Sequence, residues 1–146
     1  MREITADEVF KLRECLEALA AYHNEVSHNF KGLYPNRQHD VTLDMFAEAL
    51  RSQSSRIAVV EDGQRVLGFC KVDVANRRGK IDYLVVLPEF RRKGYGRALM
   101  DWAMAVLRQQ NAEQIEVKVV DGNDDAVRLY ESYGFQVNAK ILLRRM

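Results

Sequence analysis

The sequence predicts an α/β fold: a mixed, mainly antiparallel central sheet with one splayed parallel strand pair, about four flanking helices and a single C-terminal strand. Three observations lead there. Apolar residues recur at steps of three and four in four separate segments. Between the second and third of these lie β-branched runs punctuated by Asp62-Gly63 and by a turn over 76–79. Near the middle, the order strand, helix, strand over 81–120 requires a parallel crossover.

Taken in order, Thr5-Ala6-Asp7-Glu8 has the form of a capping box, so a helix starts at Ala6. Val9, Leu12, Leu16, Leu19 and Ala20 give it one buried stripe as far as about Val26. Residues 27–40 break the period, contain Gly32 and Pro35, and read as a loop. Leu43, Phe46, Ala47 and Leu50 mark a second helix that ends before Ser52. Strands over 56–61 and 65–74 flank a tight Asp-Gly hairpin, and a third strand follows over 81–87. Tyr95, Leu99, Trp102, Val106 and Leu107 share a helix face up to about Gln110, before a short strand over 115–120. Asn123 caps a last helix lined by Ala126, Val127, Tyr130 and Tyr133 and ended by Gly134. Phe135, Val137, Ala139, Ile141 and Leu143 alternate with polar residues and read as one strand.

The 146 residues carry 22 Lys+Arg against 21 Asp+Glu and are 47% apolar, the arithmetic of one domain over 1–146 with a real core. A net charge of +1 excludes both disorder and a global field for nucleic acid. No apolar run approaches the ~18 residues of a membrane span. Met1-Arg2-Glu3 opens no secretory segment, so the cytoplasm is the expected location. Cys15 and Cys70 stand alone, without the spacing of a disulfide framework or a zinc site, and no metal is expected.

Chemistry concentrates where the 81–87 strand hands over to a helix. Arg91, Arg92, Lys93 and Arg97 crowd around Gly94 and Gly96, with no acid over 91–97. A helix start exposes unpaired N–H groups, glycines admit a ligand to the backbone, and arginines add charge-assisted bonds, which together suit a phosphate. No Gly-Lys-Ser/Thr follows, and Leu99 stands where the dinucleotide fingerprint needs a small residue.

Preceded by Val86-Leu87-Pro88, the run Arg91-Arg92-Lys93-Gly94-Tyr95-Gly96 resembles the acetyl-CoA loop of the GNAT superfamily of N-acetyltransferases, Arg/Gln-x-x-Gly-x-Gly/Ala. Asn123, Ala126, Leu129-Tyr130 and Gly134-Phe135 match a second signature of that family, in the right order. The resemblance implies transfer of acetyl from acetyl-CoA to a primary amine of a small molecule or peptide, with the cofactor between the splayed strands 81–87 and 115–120. It implies that the backbone from Arg91 through Gly96, with Arg97 beside it, holds the pyrophosphate, and that the Val86 N–H polarises the thioester carbonyl. Asn123 would lie near the pantetheine arm, and Tyr130 would protonate the departing thiolate. On the same helix, Tyr133 is the better candidate for the core.

The amine must lose a proton before attack. Asp82, sharing strand parity with Leu84 and Val86, is the candidate acceptor on its strand, with Glu116 next; Lys118 stands where some relatives carry a glutamate. In relatives the loop after the first helix supplies acceptor contacts, and here it carries His23, Glu25, His28, Tyr34, Arg37 and His39. The rival reading is a non-catalytic acetyl-CoA sensor, against which Tyr130 argues. An apolar-faced terminal strand at a sheet edge points to a homodimer through the C-terminal strands.

Overall fold

The computed structural model describes residues 1–146. Five strands lie in the order β1-β2-β3-β4-β5, antiparallel except for the last pair. They are β1 (Arg2–Glu3), β2 (Ser55–Asp62), β3 (Arg65–Ala75), β4 (Arg78–Val86) and β5 (Gln114–Val117). One face is covered by α1 (Arg13–Val26) and α2 (His39–Arg51), the other by α3 (Tyr95–Gln109) and α4 (Asp124–Ser132).

Strand alternation divides the core between those faces. Ile57, Val59, Phe69 and Val85 pack with Leu12, Leu16 and Phe46, whereas Ala58, Val72 and Ile81 pack with Leu99, Met100 and Leu107. Each face also buries one free thiol, Cys15 in the first cluster and Cys70 in the second. Burial pushes the Cys15 thiol up to about 12 and raises that of Cys70 as well.

The first helix begins at Ala6, but Ala6–Leu12 is 3-10 and becomes α-helical only at Arg13. Ahead of it lies β1, two polar residues with no apolar alternation to announce them. Ion pairs hold that strand: Arg2 meets Glu8 at 2.5 Å and Glu61 at 2.6 Å, and Glu3 pairs with Arg56. Arg2, and then the Thr5 N–H, draw the Glu8 carboxyl down to about 2. Between β3 and β4 the turn is Asn76-Arg77, at φ 53° and 63°, so β4 starts at Arg78, ahead of its apolar run.

A bulge in β4 decides the site. Lys71 pairs with Tyr83 and the adjacent Val72 with Ile81, which leaves Asp82 as the extra residue. Ile81 therefore joins Leu84 and Val86 against α3, while Asp82 turns to the α1–α2 face and bonds Lys71. Its expected parity with Leu84 and Val86 is thus corrected, because a bulge reverses alternation beyond it.

β4 and β5 pair only from Arg78↔Gln114 to Ile81↔Val117 and then diverge. Residues 118–120, expected to continue the strand, have no sheet partner because of that divergence. The predicted C-terminal strand is corrected as well. Phe135 donates its N–H to the Tyr130 carbonyl, and no later residue makes a backbone–backbone bond. Alternation settles which side chains share a face, but a strand also needs an edge in register, and β5 ends too soon to offer one. Val137, Ile141, Leu142, Leu143 and Met146 are left exposed. No helix is long and apolar enough to cross a membrane.

Candidate active site

The loop between β4 and α3 is shaped for an anion. After the short 3-10 turn Pro88–Phe90, Arg92 and Gly94 take left-handed φ values of 63° and 86°, and α3 begins at Tyr95. The Arg91 N–H is used by the Pro88 carbonyl at 3.4 Å. Those of Arg92, Lys93, Gly94, Tyr95, Gly96 and Arg97 find no backbone acceptor within the chain. Six donors thus stand at the positive end of a fifteen-residue helix. A Cβ added at Gly96 would meet nothing within 4 Å, and its φ is ordinary, so nothing in the chain itself demands glycine there.

The cations around this loop divide. Arg91 turns back, donating from Nε to the Val86 carbonyl at 3.1 Å, with its guanidinium 4.5 Å from the centre of the Tyr22 ring. Arg97 leans on α4, bonding Ser132 Oγ and lying over Tyr133. Arg92 and Lys93 have no acidic partner; Lys93 lies over the Phe90 ring, and both are exposed.

Below the loop, the divergence of β4 and β5 opens a cleft. The Leu87 N–H bonds the Leu67 carbonyl on β3, so the Val86 N–H, one residue earlier, points the opposite way, into the opening. Tyr130 enters from the α3–α4 face, 7% exposed, with its ring edge-on to Phe135. Its hydroxyl makes no hydrogen bond in the chain, yet it is not a sealed unsatisfied atom, so it keeps some access to solvent. Burial, and secondarily Cys70, raise its pKa and keep it protonated. Tyr133, expected in the core, is instead only partly buried and donates to Asp101 Oδ1 at 2.7 Å. Tyr130 faces the sheet from within the core cluster, whereas Tyr133 packs at the edge of that cluster and faces α3.

Asn123 caps α4 by accepting the Ala126 N–H at 3.3 Å and also accepts from the Tyr22 hydroxyl at 3.4 Å. Tyr22 therefore spans the top of the cleft between Arg91 and Asn123. One residue earlier in the chain, Gly122 has φ 110°, and a Cβ there would lie 2.0 Å from the Val26 carbonyl oxygen. The end of α1 is thus packed directly on the β5–α4 connection.

On the α1–α2 face, at the vertex of the divergence, Lys71 is 5% exposed. Its ammonium lies 2.7 Å from both Asp82 Oδ2 and Asp73 Oδ1, over the Phe46 ring, and Ser55 Oγ donates to the same Asp73 oxygen. Lys80 stands 3.5 Å from Asp82 Oδ1. Glu116 is exposed and pairs in register with Lys80 on this face, away from the reach of Tyr130. Among the loop residues, His23 is half-buried edge-on to Tyr34, and burial lowers its pKa. Arg37 bonds Thr42 Oγ1, His39 opens α2, and His28 meets Asp121.

Tyr22, Lys71 and Asp121 carry no mark in the linear motifs. Only Lys71, a lone charge within the buried run of β3, could have signalled itself.

The family model for the acetyltransferase (GNAT) family matches residues 13–135. Mycothiol acetyltransferase of Propionibacterium freudenreichii is 35% identical over 81 residues, 53% of this chain and 26% of that one. A putative [ribosomal protein bS18]-alanine N-acetyltransferase of Bacillus subtilis is 25% identical over 96 residues, 65% of this chain and 64% of its own. The chain thus spans about a quarter of the first relative and just under two thirds of the second. Among solved structures, the paiA N-acetyltransferase of Thermoplasma acidophilum in complex with coenzyme A superposes with a TM-score of 0.79 at 15% identity, over 96% of this chain and 91% of that one.

Proposed function

The chain belongs to the acetyltransferase (GNAT) family, and from that premise we propose that it is an acyltransferase that carries the acetyl group of acetyl-CoA to a primary amine by direct attack. The observation that carries this is the row of six unpaired N–H groups at the start of α3, in a chain that also keeps one buried tyrosine, Tyr130, with its hydroxyl unbonded and still accessible. A pyrophosphate fits the first feature, and a departing thiolate needs the second.

In this reading the cofactor's pyrophosphate rests on the backbone from Arg92 to Arg97, with Arg92 and Lys93 adding charge. Arg91 braces the loop against Val86 and Tyr22 rather than reaching forward. The pantetheine arm passes Asn123, and the Val86 N–H stabilises the negative charge that grows on the thioester oxygen. Tyr130 gives its proton to sulfur as the C–S bond breaks. Asp82, at the vertex, meets the incoming ammonium, and its charge draws the amine in from the α1–α2 face. The acceptor is a small molecule or a peptide; both classes occur in the names of the relatives. The exposed apolar tail is the surface through which a homodimer would form. A sedimentation coefficient of a monomer at high micromolar protein would dismiss that dimer. The cytoplasm, where acetyl-CoA is made and both thiols stay reduced, is the proposed setting.

Release of free CoA thiol, scored across a panel of alkylamines, amino sugars and peptides with free α-amines, tests the activity. Turnover of at least one amine above acetyl-CoA hydrolysis is expected. If acetyl-CoA binds and no amine in any class is turned over, the chain is the non-catalytic sensor instead.

A further inference from the structure

His28, the second residue after α1, meets Asp121 across a gap of 93 residues in sequence, Nδ1 to Oδ2 at 3.2 Å, and the His28 backbone N–H donates to the Asp121 carbonyl at 3.3 Å. Gly122 seats the end of α1 against the same turn so closely that its absent Cβ would also approach His28 Cδ2, at 3.3 Å. A backbone bond and the Gly122 contact thus fix the two residues beside each other, while both side chains stand largely open to solvent. Two residues on from Asp121, Asn123 accepts from the Tyr22 hydroxyl, and Tyr22 lies under the Arg91 guanidinium that bonds the Val86 carbonyl, which links the pair to the strand end at Val86. Val86 is the residue whose N–H faces the cleft, and Tyr130 approaches it from the other face of the sheet.

Resting on the acetyl transfer proposed above, we propose that His28 accepts the proton of the attacking amine and that Asp121 positions it. With Nδ1–H donated to Asp121, Nε2 keeps its lone pair and has no partner in the chain. Asp82 is less suited to the task, because Lys71 engages Oδ2 at 2.7 Å and Lys80 lies 3.5 Å from Oδ1. The charged group facing the imidazole from the opposing element is Asp121; along its own segment the nearest are Glu25 and Lys31, with the Lys31 ammonium bonded to the Glu25 carbonyl.

The ammonium gives one proton to Nε2, and the freed nitrogen pair forms the C–N bond. As the C–S bond breaks, its electron pair leaves on sulfur, which takes the Tyr130 proton. The nitrogen's second proton returns to Tyr130 as the amide forms. The protonated amine and acetyl-CoA thus give amide, CoA thiol and one proton, which His28 passes to solvent.

Full-length wild type, His28→Gln, Asp121→Asn and Asp82→Asn are compared in kcat/KM against pH, with the best alkylamine of the panel and with hydroxylamine, which is already neutral at pH 7. His28→Gln should lose about 100-fold with the alkylamine, a usual share for a general base. It should also lose the acid limb of the profile, leave the KM for acetyl-CoA unchanged, and lose less than tenfold with hydroxylamine. Asp121→Asn should show a smaller loss of the same kind. Equal losses with both nucleophiles would mean a structural role and overturn the proposal. So would an acid limb that survives in His28→Gln and vanishes in Asp82→Asn. A wild type that turns over no amine would sink acetyl transfer itself, a result distinct from either of these.

Discussion

On the α3–α4 face, the groups aimed at the opening come from two short runs of chain, 86–97 and 123–130. On the α1–α2 face, the corresponding groups meet across long separations: Tyr22 with Asn123 over 101 residues and His28 with Asp121 over 93. The first face relies on a helix start, two glycines and a strand end, features that local geometry assembles unaided. The second exists only once the sheet has formed and α1 has docked. An anion site can therefore survive changes that erase the acceptor side, and the two faces can be broken separately.

The largest effect is expected at Lys71. Lys71→Met keeps the contact with Phe46 but strips Asp73 of its cation and leaves Asp82 only Lys80, a loss of about 3 kcal/mol, the low end for breaking a buried pair because both carboxylates stay partly open to water. Urea unfolding measures it, and the stabilisation added by acetyl-CoA should persist in the variant. If the midpoint does not move, the vertex network contributes nothing and the contrast between the faces fails at its centre. Next, Tyr130→Phe should lower kcat by about 100-fold with little change in the KM for acetyl-CoA, since the hydroxyl acts as charge develops on sulfur. An unchanged kcat, with chemistry shown to limit turnover, would return Tyr130 to the core.

Two glycines sharpen the comparison. Gly122→Ala forces a Cβ onto the Val26 carbonyl at a left-handed φ, costing about 1–3 kcal/mol. It should raise the amine KM and spare acetyl-CoA affinity. Gly94→Val does the reverse: its strain of about 1–2 kcal/mol falls on the anion loop, and calorimetry should show acetyl-CoA affinity reduced about tenfold or more. If either variant impairs both ligands equally, the faces are not separable.

The smallest effect concerns His23. Burial lowers its folded pKa, so below the ordinary imidazole value of ~6.5 the unfolded chain takes up a proton that the folded one refuses. Stability is therefore fully present above that value and is lost as pH falls below it. In His23→Phe the decline of Tm just below pH 6.5 should flatten; an identical decline would place its source elsewhere.

These differences also explain what could be read from the sequence. The hairpins, the crossover, the α3 loop, the Asn123 cap and Tyr130 all follow from residues close together in the chain, so periodicity and motif expose them. The bulge at Asp82 does not, because Ile81-Asp82-Tyr83 alternates as smoothly as any strand and only the pairing with Lys71 and Val72 shows the slip. β1 is missing from the pattern because ion pairs, not apolar alternation, hold Arg2 and Glu3. The tail errs in the other direction: its alternation is real, but a partner edge is a property of the whole sheet. Likewise, nothing near Asp121 in sequence announces His28.

The two cysteines, one sealed under each helical layer, give the molecule a built-in pair of clocks. Both are fully buried, and an aromatic disulfide reagent reacts only with a thiolate it can reach. Each thiol should therefore remain silent until its own layer lifts, Cys15 when α1 leaves β3 and Cys70 when α3 and α4 leave the opposite side. Single Cys→Ala variants would time the two openings separately, and saturating acetyl-CoA should slow the Cys70 clock far more than the Cys15 clock.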